Sequence, residues 1–392
     1  MNRFEATLIV LMVAVVPAVA QDTNGDMVIQ GKPGDAGELS LSIAHEARAA
    51  MDRGVNWLLA QQNEDGHWSN KDFPALTALP LWVLAKSAPQ NKEAIDKAVK
   101  FILTSVHDDG SIWSAPSVEQ KGGGLANYNT AVCMVSLNAV GDPQLVPVVQ
   151  KARRFIAGTQ HFGGDDYHGG MGYDPDTGRP YADLSNSYMA YEAMRLTDNV
   201  EDQRKAGDPR ADLDWKAAQE FLGKIQNKST DTNDDNAGGF AYHPSDSKAG
   251  TYTNAAGELR FRSYGSMTYA GLLSLMYADV NKDDPRVSSA FDWASRHWTL
   301  EENPGVGNDG LFYFYNVLSK SLAAYGRDRI VTGSGAAVNW RAELIKKLLS
   351  LQKIDPKTGA GYWLNESGRW WEADPVLVTS YSLLALEIAL NP

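Results

Sequence analysis

Residues 53–68, RGVNWLLAQQNEDGHW, constrain the fold more than any other stretch, because weaker copies recur down the chain. Met51, Val55, Trp57, Leu58 and Leu59 place apolar groups at helical spacing on one side. Gln61 and Gln62 close that helix. Residues 63–66 supply turn chemistry, ending in a glycine that can take a positive φ. Trp68 follows as a large apolar plug with one N–H to satisfy. Aligned on Trp57, the copies put Phe101, Phe155, Phe221, Trp293 and Lys347 in its place, at spacings of 44, 54, 66, 72 and 54 residues. A glycine and an aromatic follow each time: Gly110 and Trp113, Gly172 and Tyr173, Gly239 and Phe240, Gly310 and Phe312, Gly361 and Trp363. Gln160, Gln226 and Gln352 repeat Gln62. One such copy would be a helix end with a buried tryptophan. Six copies make a repeat, and each period holds this helix, its loop and a second helix, so the unit is a helical hairpin.

The two helices of the unit differ in pattern. The first carries charge on one face, as in 97–106 and 151–160, and suits an outer layer. The second is apolar nearly all round: 73–87, 129–140, 185–196, 263–278, 311–325 and 375–390 suit an inner layer. About 370 residues after any leader would ordinarily suggest two domains. Stacked hairpins share a continuous core, so the expected fold is all-α, a single closed ring of about six hairpins over 42–392.

Residue for residue, Arg53-Gly54, Trp57-Leu58, Gln62, Gly66 and Trp68 resemble the QW motif of squalene and oxidosqualene cyclases, and the later copies fit it in part. From about residue 45 to 390 the chain resembles the α/α-toroid superfamily, which also holds protein prenyltransferase β subunits and the complement thioester domain. The motif ties hairpins together in that family, so the resemblance implies a fold and brings no catalytic residue with it. The family's chemical signatures are missing from this sequence. There is no Asp-x-Asp-Asp; the nearest run, Asn233-Asp234-Asp235-Asn236, sits in a polar stretch. There is no Asp-Asp-x-x-Asp, since Asp165-Asp166 continues as Tyr167-His168-Gly169. Cys133 lacks the Asp two places earlier that the zinc site of prenyltransferases has, and Cys-Gly-Glu-Gln is absent.

Residues 1–20 have the form of a secretory signal: Arg3, an apolar run over 6–16 too short to span a bilayer, and Ala18-Val19-Ala20 before Gln21. The chain is therefore expected to be exported, with 21–41 a disordered leader poor in large apolar groups. A net charge of −12 argues against nucleic acid and against anionic membrane surfaces. Peripheral contact with a membrane stays open. The single cysteine excludes an internal disulfide, and its apolar neighbours place Cys133 in the core.

What remains for function is a set of polar and aromatic residues at the heads of the inner helices, which a ring brings to one mouth of a central cavity. Tyr128 precedes the second inner helix. Asp183, Asn186 and Tyr188 open the third, Arg262 and Tyr264 the fourth, Tyr313 and Tyr315 the fifth, and Trp370, Trp371, Glu372 and Asp374 the last. Asp183 and Asp374 also suit ordinary N-caps. For a general acid the candidates are Asp374, Asp183 and Glu372, with Asp374 preferred because Trp370 and Trp371 could desolvate it. The expected guest is an isoprenoid or hopanoid-like lipid gripped by π faces. A glycan stacked on Trp and Tyr is the alternative, with Arg179, Arg262 and Arg369 near its acidic groups, and a non-catalytic binding module is the third reading. The cluster HFGGDDYH at 161–168 could hold a divalent metal, but its spacing matches no closed zinc pattern. The sequence leaves the cofactor unknown.

Overall fold

A computed structural model of the chain describes residues 19–21, 27–29, 39–115, 124–174, 181–229 and 234–391. Twelve α-helices alternate in two layers among these residues: α1 (Leu41–Gln61), α2 (Pro74–Ser87), α3 (Lys92–Leu103), α4 (Ala126–Val140), α5 (Val146–Gly158), α6 (Leu184–Leu196), α7 (Trp215–Ile225), α8 (Gly265–Tyr277), α9 (Pro285–Arg296), α10 (Leu311–Tyr325), α11 (Trp340–Leu351) and α12 (Pro375–Leu390). The even-numbered helices are the inner ones. In α2 every residue from Pro74 to Leu84 is buried, whereas α3 buries only Ile95, Ala98 and Ile102. The apolar-all-round and one-faced patterns therefore sort the helices as expected. Short antiparallel strand pairs, such as Thr251–Thr253 with Leu259–Phe261, decorate the loops. Most of the segment expected to be signal and leader lies outside the described residues. Strands Val19–Gln21 and Met27–Ile29 pair within it, and the second also pairs with Leu39–Ser40.

The inner helices pack in chain order, α2 on α4, α4 on α6, α6 on α8, α8 on α10, α10 on α12, and α12 returns to α2. The ring is closed. Ordinary signals end its helices. Pro74, Pro285 and Pro375 start α2, α9 and α12, where a missing N–H costs nothing. Left-handed Gly141 and Gly326 stop α4 and α10.

Successive hairpins are joined by one recurring device. The Gln62 side-chain amide donates to the carbonyls of Gly66, in its own loop, and Ala94, on the next outer helix (3.0 and 2.9 Å). Gln160 does the same to Gly169 and Asp214, and Gln226 to Gly238 and Arg286. The Gln352 side chain donates to the Ala50 carbonyl on α1 and accepts at its amide oxygen from Arg53, so a glutamine also ties the last hairpin to the first. The loop glycines are forced. Gly66, Gly110, Gly169 and Gly238 have φ between +89 and +98. A Cβ on any of them would come within 1.8–2.4 Å of a carbonyl oxygen on the following outer helix.

A second device was invisible in the sequence and corrects the alignment. The backbone N–H of Trp68 donates to Thr77 on α2, Ile112 to Thr130 on α4, Met171 to Ser187 on α6, Phe240 to Thr268 on α8 and Trp363 to Thr379 on α12. All five hydroxyl residues are fully buried. Ile112 and Met171, not Trp113 and Tyr173, thus occupy the place of Trp68. The loop needs an apolar plug there, and an aliphatic side chain serves. At the fifth joint Tyr315 stands in for the hydroxyl residue and donates to the Leu300 carbonyl at 2.5 Å.

Candidate binding site

All inner helices start on the same side of the ring, and their first two turns enclose a cavity of about 320 Å³. Leu76 of α2, Tyr128 of α4, Met189 of α6, Met267 of α8, Tyr313 of α10 and Tyr381 of α12 form its wall. Tyr264, immediately before α8, lies there too. The loops add Phe73, Tyr173, Tyr242, Lys248, Trp370 and Trp371. Burial pushes the phenols of Tyr128, Tyr264, Tyr313 and Tyr381 above their ordinary range, so they remain neutral hydrogen-bonding groups. Size and composition suit an apolar small molecule held by a few polar points.

Backbone strain concentrates at this mouth. Leu125, Trp370 and Trp371 line the cavity and hold φ of +51, +54 and +69, a region that side chains of this bulk seldom occupy. Trp370 rests on Gly310, where a Cβ would lie 2.8 Å from the indole. Arg369 stacks over Trp370 at 4.7 Å and donates to Asp309 at 2.8 Å, and Trp371 meets Phe73 edge-on at 5.1 Å. The two tryptophans remain 39 and 49% exposed, one face to the cavity and the rest to solvent.

The three carboxyl candidates all cap helices, and none lines the cavity. Asp183 is fully buried at the N-cap of α6, accepting from the Asn186 N–H, the Asn186 amide at 2.7 Å and the Ser185 hydroxyl at 2.8 Å. Burial raises its pKa against those hydrogen bonds. Glu372 reaches across to the head of α10, accepting from Phe312 and Tyr313 N–H (3.2 and 2.7 Å) and from Asn365 at 2.6 Å; its pKa is likewise raised by burial. Asp374 caps α12 through Val376 N–H and accepts from Ser69. It is only partly buried, so the neighbouring tryptophans do not shield it as expected. Among the described residues Lys248 is the charged side chain on the cavity wall; it lies 4.4 Å from the Tyr242 ring centre and pairs with Asp246.

Other expected residues fall elsewhere. Tyr315 serves the fifth joint. Asn186 is committed to Asp183. Arg262 binds the Thr251 carbonyl and stacks on Tyr252 in the strand pair outside the cavity. Arg179 lies outside the described residues. Tyr188 sits deeper, beside an ion pair that closes the ring interior: Lys320 of α10 donates to Glu192 of α6 at 2.9 Å, 4.6 Å from the Trp82 ring centre, with Tyr277 donating to the same carboxylate. In the 161–168 loop, His161 pairs with Asp165 and His168 with Glu220. No group of three His, Cys, Asp or Glu among the described residues is placed to hold a metal. Cys133 is fully buried, with its thiol pushed up by burial. Sequence reasoning missed Tyr381, Tyr173, Tyr242 and Lys248. Tyr381 was within reach, since a cavity-facing stripe recurs one or two turns below the helix head.

The fold is the squalene cyclase/prenyltransferase-like α/α toroid. Type II terpene cyclase MstE from Scytonema, in complex with geranylgeranyl dihydroxybenzoate, is similar at 13% identity over 89% of this chain and 98% of that one, with a TM-score of 0.51. Candida albicans protein geranylgeranyltransferase-I complexed with GGPP is similar at 14% identity over 86% and 90%, with a TM-score of 0.53. Cellobiose 2-epimerase from Bacillus thermoamylovorans is similar at 12% identity over 88% and 99%, with a TM-score of 0.52. At these identities the likeness concerns the fold alone. No family model and no curated protein matches the chain.

Proposed function

We propose that this is an exported protein that binds an isoprenoid or hopanoid-like lipid in the central cavity. The observation that carries the reading is the wall itself, aliphatic and aromatic side chains from every inner helix with neutral phenols as the polar points. Two of the similar structures hold geranylgeranyl compounds, which agrees with such a guest. The three candidate carboxyl groups, Asp183, Glu372 and Asp374, are spent on helix caps, so binding is favoured over acid-initiated cyclisation. The epimerase likeness keeps a sugar guest in play, but Arg262 is turned away and Arg369 is bound to Asp309. Trp370 and Trp371 are the natural point of contact with a membrane that delivers the lipid. No helix among the described residues is long and apolar enough to cross one.

Native mass spectrometry of protein purified gently from its own cells tests both halves. The expected result is a mass lacking the first 20 residues, with a co-purifying lipid that extraction identifies as isoprenoid. A bound oligosaccharide would overturn the lipid reading, and an intact N-terminus would overturn export. Trp371→Ala should weaken lipid binding while leaving the thermal midpoint almost unchanged, because the side chain is half exposed.

A further inference from the structure

The cavity wall carries a single charge among the described residues. Lys248 sits in the loop ahead of α8 and lines the wall beside Tyr242, and every other lining side chain is uncharged. The Lys248 side chain is not sealed, since 27% of its surface is exposed. Its amine lies 4.4 Å from the Tyr242 ring centre and donates to Asp246. That leaves two of its three N–H groups without a protein acceptor among the described residues. Asp246 is itself half exposed, and an ion pair that water screens to this extent binds weakly. A cation on an otherwise uncharged, mostly apolar wall is costly unless something meets it. Its place is the rim, because Lys248 and Tyr242 belong to a loop while the inner helices wall the cavity beneath.

Resting on the isoprenoid reading above, we propose that the guest is an isoprenoid acid whose carboxylate accepts from the Lys248 ammonium at the rim. Its chain then runs down between the inner helices, past Leu76, Met189 and Met267. A head with one negative charge is favoured over a phosphate. The one ammonium is already shared with Asp246, and Arg262 and Arg369 are committed elsewhere, so no second cation meets a second charge.

The test compares farnesoic acid with its methyl ester at neutral pH, titrated into wild type and Lys248→Met by tryptophan quenching. Wild type should prefer the acid by about tenfold or more. Lys248→Met keeps the apolar stem and removes the ammonium, and should bring the ratio to about one by weakening the acid alone. Its thermal midpoint should hold, since the ion pair it breaks is partly exposed, and Lys248→Arg should retain a preference for the acid. Asp246→Asn should tighten the acid and leave the ester unchanged. An acid preference that survives Lys248→Met overturns the proposal. Tighter binding of farnesyl phosphate than of farnesoic acid overturns the single charge. Equal binding of acid and ester to wild type overturns the proposal too but leaves the isoprenoid reading standing. If none of the probes binds wild type, both fall.

Discussion

At the joints between hairpins the same contacts recur: a glutamine amide reaching the next outer helix, a left-handed glycine pressed on that helix, and a plug residue whose N–H meets a buried hydroxyl. Inside the ring the residues vary more. The helices offer Leu76, Tyr128, Met189, Met267, Tyr313 and Tyr381 to the cavity, and only Met189 with Met267 and Tyr313 with Tyr381 are neighbours of the same type. A joint has one geometric problem to solve, and most joints solve it alike. The cavity wall is under no such repeated constraint, so its residues are free to differ from helix to helix.

If that division holds, a joint substitution should damage stability, and the largest effect is expected at Gly169→Ala. Its Cβ would stand 1.8 Å from the Ala217 carbonyl oxygen at φ +89. A loss of about 3 kcal/mol or more in urea unfolding is expected. Gly207→Ala is the control, since Gly207 has φ +94 but open space around it; only the backbone term of about 1–2 kcal/mol should appear. Equal losses at the two sites would break the comparison. Thr268→Val should rank next. It strands the buried Phe240 N–H, at a cost of about 1–3 kcal/mol, with lipid affinity unchanged.

The smallest effect sharpens the other side. Glu372 has a folded pKa raised above the ordinary value of 4.5 by burial. Its protonation therefore favours the fold: that contribution is complete below 4.5 and is lost as pH rises through the folded pKa. Glu372→Gln should flatten this decline in the unfolding free energy against pH. A slope identical to wild type would show that Glu372 titrates as an ordinary surface carboxylate.

The same division explains what could be read in advance. Gln62, Gly66 and Trp68 have echoes down the chain, so the helices, their inner and outer ranks and the closed ring were all legible. The buried Thr and Ser residues were not, because a single hydroxyl inside an apolar helix carries no periodic signal. Helix heads pointed to Tyr128, Tyr264, Tyr313, Trp370 and Trp371 at the cavity, but the same rule also swept in Tyr315, Arg262 and Tyr188. A head residue faces one of several directions, and which one depends on helix rotation, set by packing that sequence spacing does not express.

The seam where Gln352 meets Ala50 uses the same glutamine bridge as the seams of Gln62, Gln160 and Gln226, with Arg53 added. A linear array of hairpins has two raw ends, needs polar caps on them, and can lengthen or shorten by one unit without penalty. Here each end is the other's cap. Removing or duplicating one hairpin would leave the remaining wedges with the wrong total angle, so the unit count is locked even though the units themselves are loosely alike. Point changes and loop insertions are thus the routes by which such a chain can acquire a new guest.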